Sequence, residues 1–207
     1  MKLSHAMILA AGLCTRMRPL TNTMPKPMIP VAGKPLIDWC LDWVEQAGIS
    51  EVVVNSSYLA SQLEDHLRRR GAPRIHVSRE EPTPLETGGG IAKALPLLGN
   101  APFLAMNSDA ILPVTGIHPI TLLEQAWTDD IDFLMLVVPR AQAHGWEGKG
   151  DFILNDAGEI RRPQPGEEAP YIFTGVEIIH PRVFQQAHPE GAFSLSWFWK
   201  QLERVDG

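Results

Sequence analysis

Residues 9–27 read L-A-A-G-L-C-T-R-M-R-P-L-T-N-T-M-P-K-P. They continue an apolar run, 6–11, whose length and flanks suit a buried parallel strand. The prediction is therefore a strand feeding a loop that carries Arg16, Arg18 and Lys26. Small residues at Ala10, Ala11 and Gly12 let main-chain N–H groups approach an anion or a flat ring, which bulky side chains would prevent. Fixed positive charge beside such a backbone suits a polyphosphate, whose transfer depends mainly on positioning and on neutralising charge on non-bridging oxygens. The alternative is an ordinary surface loop with its Arg and Lys solvated.

Working outward, residues 35–47 place Leu36, Ile37, Cys40, Val44 and Ala47 at helical spacing, with Pro35 suited to a first turn and Gly48 to a stop. Residues 51–55, E-V-V-V-N, read as a second buried strand, 58–70 as a helix and 75–78 as a third strand. This alternation predicts an α/β fold: a Rossmann-like, doubly wound, mainly parallel sheet with helices on both faces. Residues 102–106 read as a fourth strand, 119–127 as a helix and 133–138 as another buried strand. Beyond it the texture changes. Residues 141–150 are rich in Gly and polar groups, a hairpin is expected through 155–158, and 171–179 reads as a strand, together a small β subdomain. The aromatic helix expected over 193–205, with Trp197, Phe198 and Trp199, reads as packing, as do Trp39 and Trp43. His144 and His180 are given no role.

Two further stretches carry chemistry. In E-T-G-G-G, residues 86–90, Thr87 can cap a helix whose first turn is three glycines, a costly choice unless the backbone must come close to something. A ligand is the expected neighbour, with a flexible linker as the alternative. At 107–109 the fourth strand runs into Asn107, Ser108 and Asp109. A carboxylate at the carboxyl end of a central strand lies where open α/β sheets bind ligands, and it can hold Mg2+ with water and phosphate filling the other positions. An Asx turn or helix cap by Asp109 is the structural alternative.

The order G-x-x-T-R-M-R-P-L-T, then P-K-P and G-K-P-L-I, resembles the amino-terminal signature of the sugar-1-phosphate nucleotidyltransferases over most of residues 6–40. These enzymes join a nucleoside triphosphate to a sugar 1-phosphate and release pyrophosphate. The resemblance implies a glycosyltransferase-A-like nucleotidyltransferase fold and Mg2+ dependence. It also implies that Arg16 and the Gly12 region cradle the β and γ phosphates, that Lys26 binds phosphates at the reaction centre, and that Asp109 holds the metal. Ala10, Ala11, Thr15 and Asn107 complete the nucleotide side, and Glu86 and Gly88 are placed at the pyrimidine edge. Asp151, Thr174, Gly175 and Glu177 are placed around the sugar, each with the alternative of a strand-edge or turn residue. One departure concerns Cys14, which stands where the family has a second glycine. Cys would be strained there if the position needs positive φ, and tolerable if only a small side chain is required.

G-D-F at 150–152, E-T-G-G-G and F-T-G-V-E-I-I-H-P at 173–181 most resemble the short branch of the family that uridylylates N-acetylmuramate 1-phosphate in peptidoglycan recycling. The lysine of the E-K-P motif found in longer members is absent, its counterpart being Arg161-Arg162-Pro163. UTP and N-acetylmuramate 1-phosphate are the implied substrates. Glucose, mannose or heptose 1-phosphate, or a non-catalytic nucleotide-sugar-binding protein, are the alternatives. One domain over 1–207 is expected, with a nucleotide-binding core at 1–138 and a sugar-binding part at 139–207. Members of the branch continue into a further strand and helix that supply a second metal-contacting side chain, whereas this sequence ends Arg204-Val205-Asp206-Gly207. The expectation is a truncated form, or a metal resting on Asp109, phosphate and water, with no role for Asp206.

Composition narrows the class. A chain of 207 residues with 44% hydrophobic and 20% charged residues suits one globular domain with a substantial core. A net charge of -6 without a basic block argues against a nucleic-acid surface, so the loop cations are aimed at small-molecule substrates. Cys14 and Cys40 lack zinc-site spacing and are expected as reduced thiols. No apolar run suits a signal peptide or a membrane span, which makes a cytoplasmic monomer or homodimer the expectation.

Overall fold

The computed structural model describes residues 1–114, 116–143 and 147–202, so His144 and residues 204–207 lie outside the described residues. Its centre is a six-stranded sheet of β1 (His5–Leu9), β2 (Glu51–Ser56), β3 (Arg74–Arg79), β4 (Phe103–Asn107), β5 (Phe133–Pro139) and β6 (Tyr171–Ile179). Their order across the sheet is β3-β2-β1-β4-β6-β5. β1 to β4 are mutually parallel, and β6 inserts antiparallel to both β4 and β5. The sheet is thus mainly parallel, as the alternation of patterns predicts.

Period-two alternation along each strand puts apolar groups on both faces. Ala6, Ile8, Val52, Val54, Leu104 and Met106 face one core layer, and Met7, Val53, Phe103 and Ala105 the other. The first layer is closed by helices α1 (Leu36–Gln46), α2 (Ala60–Leu67) and α4 (Pro119–Ala126), through residues such as Ile37, Leu41, Leu63 and Ile120. The second is closed by α3 (Glu86–Leu98) and α5 (Ser196–Leu202), through Ile91, Leu98 and Phe198. Among the described residues no helix is long and apolar enough to cross a membrane.

Three expectations need correction. The run at 133–138 is an edge strand whose residues are half-buried, because β6 returns after a long excursion and pairs between it and β4. The aromatic helix begins at Ser196; Phe193 belongs to the preceding segment, whose carbonyl accepts the Gly88 and Gly89 N–H groups at 2.8 and 3.1 Å. Thr87 does not cap α3, which starts one residue earlier at Glu86; its hydroxyl accepts from Leu195 N–H at 2.8 Å.

The same packing explains the three glycines. A Cβ at Gly88 would overlap the Phe193 ring, and one at Gly89 the Gly191 carbonyl oxygen. At Gly90 it would stand 2.6 Å from Glu80 Oε1 and 2.9 Å from Asn55 Nδ2. The close neighbour that the glycines admit is the chain itself, not a ligand.

Candidate active site

The carboxyl ends of β1, β2 and β4 converge on one cavity of about 290 Å3. β1 ends at Leu9, whose carbonyl accepts from Ser108 N–H at 3.1 Å, and this ties the phosphate loop to the end of β4. Ala10, Ala11 and Gly12 form the floor, Arg16 and Lys26 come from the loop, Asn107 from the end of β4, Asp109 from the turn after it, and Glu86 from the start of α3. Eight residues expected at the nucleotide side therefore share one cavity. Thr15 and Gly88 do not line it: Thr15 sits in a short helical turn, Thr15–Met17, and Gly88 packs under Phe193.

The loop itself is held by turns. Cys14 adopts φ 48° and ψ 45°, the left-handed region, so the position does require the conformation that glycine adopts freely. Its carbonyl accepts from Met17 N–H and from the buried Thr21 hydroxyl, both at 3.1 Å. That double acceptor role fixes the turn that brings Arg16 to the cavity. Burial pushes the Cys14 thiol up from its ordinary value, with the Lys26 charge opposing.

Lys26 Nζ and Asp109 Oδ2 form an ion pair at the cavity mouth, where both side chains keep solvent contact. Beneath them Cys40 supports the turn, its thiol facing the Asn107 and Ala110 carbonyls at 3.7 and 3.8 Å. Burial pushes that thiol up to about 12, so Cys40 is an inert packing group at neutral pH. Among the described residues no group of three His, Cys, Asp or Glu could hold a metal by itself. Asp109 is a hard-oxygen donor that keeps solvent contact, which suits Mg2+ when substrate phosphates and water complete the shell.

On the sugar side, the fold occupies most of the expected residues. Asp151 Oδ2 accepts from Phe173 N–H at 3.0 Å, and the Thr174 hydroxyl donates to the Leu136 carbonyl at 2.9 Å, bracing an irregularity between β6 and β5. Gly175, at φ 79°, backs onto Asn107: a Cβ there would lie 2.5 Å from Asn107 Nδ2. Glu177 is 3% exposed, so the interior encloses its carboxyl. Burial raises its pKa to about 8, the Trp199 indole opposing, and its Oε2 is left without a hydrogen-bond partner. Asp151, Phe152, Arg162, Phe173 and Trp199 line a second cavity of about 120 Å3, where Trp199 meets Phe152 and Phe173 edge to face.

Asn55 and Glu80, which no sequence motif marks, also line the main cavity. A signal existed for Asn55, since it stands at the carboxyl end of E-V-V-V-N just as Asp109 follows the end of β4.

A mainly parallel sheet with cations, glycine-lined backbone and a solvent-reaching carboxylate, Asp109, at its strand ends defines a phosphoryl-handling α/β protein. The sequence profile of the nucleotidyl transferase family matches residues 5–146, and the chain belongs to that family. The N-acetylmuramate alpha-1-phosphate uridylyltransferase of Caulobacter vibrioides is 42% identical over 202 residues, 95% of this chain and 83% of the relative. The protein of the same name from Neisseria meningitidis serogroup B is 39% identical over 188 residues, 86% of this chain and 76% of the relative. In fold, the chain resembles UDP-glucose pyrophosphorylase complexed with UDP-glucose, with a TM-score of 0.77 at 17% identity, covering 98% of this chain and 88% of that one.

Proposed function

We propose that the chain transfers the uridylyl group of UTP to N-acetylmuramate 1-phosphate, with Mg2+, releasing pyrophosphate and supplying UDP-N-acetylmuramate for cell-wall recycling in the cytoplasm. The observation that carries this reading is the Lys26–Asp109 ion pair at the mouth of a cavity floored by the Ala10, Ala11 and Gly12 backbone. Its sugar and base are taken from the relatives named above.

In this reading Arg16 and the Gly12 backbone take the β and γ phosphates, and Lys26 faces the phosphates at the reaction centre. Asp109 would hold Mg2+, which supplies charge neutralisation on the phosphates when bound. An oxygen of the sugar 1-phosphate attacks the α-phosphorus in line, one P–O bond forms, and the bond to pyrophosphate breaks. No general base is needed, because a phosphate monoester is already an anion near neutral pH. The sugar lies against Asn107 and Gly175, with Asp151 and Trp199 beyond. Glu86 stands at the cavity lip on the base side.

Pyrophosphate release over UTP, dTTP, GTP and CTP against the 1-phosphates of N-acetylmuramate, N-acetylglucosamine, glucose, mannose and heptose tests the reading. Turnover on the UTP and N-acetylmuramate 1-phosphate pair, abolished by EDTA, is expected. Turnover only on another pair would reassign the substrates, and silence over the whole grid with UTP still bound would mean a binding protein.

A further inference from the structure

Asn55 and Glu80 are among the least exposed polar residues of the chain, at 2% and 1%. A buried carboxylate is costly unless N–H groups meet it. Glu80 Oε1 accepts from Asn55 Nδ2 at 2.7 Å, and Oε2 accepts from Leu85 N–H at 2.7 Å. Asn55 Oδ1 in turn accepts from Ala10 N–H at 2.5 Å. This amide orientation is the one that satisfies both neighbours, since the other would set NH2 against N–H and oxygen against carboxylate. The result is a directional chain of three hydrogen bonds, from the first residue of the phosphate loop to the residue before the Glu86 lip. The first two links cross between sequence-distant elements and the third closes the loop between β3 and α3 on itself; α3 closes over the chain at Gly90, where any side chain would strike both Glu80 and Asn55.

We infer that Asn55 and Glu80 are positioning residues for the nucleotide: their buried hydrogen-bond chain holds the phosphate floor at Ala10 and the base-side segment at Leu85 and Glu86 in one register. This rests on the nucleotidyltransferase reading of the cavity. A nucleoside triphosphate must meet both ends of the site at once, and small misplacements of positioning groups weaken binding and rate together. Besides the packing of α3 against β1, these three bonds are the only side-chain hydrogen-bond route between the segments of Ala10 and Glu86 among the described residues, so the pair couples the two.

The chemistry of the chain supplies its own test. Asn55→Asp leaves the bond to Ala10 but sets a carboxylate against Glu80; Glu80→Gln sets an amide NH2 against either Asn55 Nδ2 or Leu85 N–H. Combined, the two substitutions restore every donor to an acceptor, with the middle bond reversed and the net charge unchanged. Three quantities are read on the parent, both single variants and the N55D/E80Q variant: the thermal midpoint, the Kd for Mg-UTP, and amide exchange of segments 10–18 and 81–87 without nucleotide. Each single variant is expected to weaken UTP binding about tenfold or more, and to speed exchange in both segments together. The double variant is expected to recover both. Exchange confined to the segment nearest the substitution, single variants that bind UTP like the parent, or a double variant that recovers its midpoint without its UTP affinity would each overturn the inference; so would a double variant that does not fold. If the parent itself binds no UTP, the uridylyltransferase reading fails, while exchange in the two segments still decides the coupling.

Discussion

The parallel half of the sheet and its antiparallel half use the same residue types in opposite ways. At the ends of β1, β2 and β4, polar residues line a cavity: Asn55 and Asn107 in the last rungs of the ladder, and Asp109 just past it. In the antiparallel half, Asp151, Thr174 and Glu177 lie within or beside the pairing of β5 and β6, where the fold claims them. Parallel strands end in loops that need not turn back at once, so their last side chains remain available. A strand inserted between two antiparallel neighbours has its backbone paired on both sides, and its polar side chains satisfy irregularities of that pairing.

By this contrast, substitutions of the solvent-reaching cavity groups in the first half should remove turnover and leave stability, and those in the second half should do the reverse. The largest effect is expected for Lys26→Ala and Asp109→Ala. Loss of either charged group should lower pyrophosphate release about 100-fold to 1000-fold. The melting temperature should barely move, because an ion pair this exposed contributes little to folding. Near-normal turnover in either variant would break the comparison at its strongest point.

Next in size is Gly89→Ala. The added methyl meets the Gly191 carbonyl, which is backbone and cannot swing away. A loss of about 2–3 kcal/mol is expected, seen as a lowered midpoint in thermal or urea unfolding. A variant as stable as the parent would return the three glycines to a ligand-facing role.

Glu177→Gln should act in the other direction, and only at some pH values. The folded carboxyl has its pKa raised by burial to about 8 from an ordinary 4.5, so the native state keeps a proton that the unfolded chain gives up between those values. The protonated form's contribution is fully present below 4.5 and is lost as pH rises to about 8. The parent's stability should therefore fall across that window, and the variant's should fall less. At pH 8 the variant should melt about 10 °C higher, with the two converging at pH 4.5. Equal slopes would show that the carboxyl is solvated or ionised in the fold, and would restore it as a sugar-side group.

How much was legible follows the same contrast. The sheet, α1 and the cavity residues could be read because strand-end chemistry is local: Ala10 to Gly12, Lys26 and Asp109 announce themselves within a few residues of an apolar run. Glu80 could not be read that way, since its side-chain partner Asn55 comes from the end of another strand, 25 residues earlier. The glycines at 88–90 mark close approach but not what approaches: the sequence points to a ligand, whereas for two of them the approaching group is in the chain more than a hundred residues away. The half-buried edge position of β5 depends on β6 arriving between it and β4, a long-range event that F-L-M-L-V-V does not encode.

Cys14 joins the two kinds of question. The sequence raised it as a position where the family has glycine, and the structure answers that the backbone there is left-handed, at φ 48°. A non-glycine residue in that region costs about 1–2 kcal/mol, while glycine loses about 0.5–1 kcal/mol more chain entropy on folding. The two terms partly offset, so Cys14→Gly should raise stability by only about 0.5–1 kcal/mol, or about 1–4 °C in the melting temperature. Function should respond differently from stability. The Cys14 carbonyl anchors the turn through Met17 and Thr21, and glycine keeps that carbonyl while widening the conformations of the free loop. The variant should therefore melt slightly higher and bind Mg-UTP no tighter than the parent. Tighter binding would mean that the thiol itself obstructs the cavity it lines, and that this chain carries at residue 14 a restriction on its nucleotide that a glycine would lift.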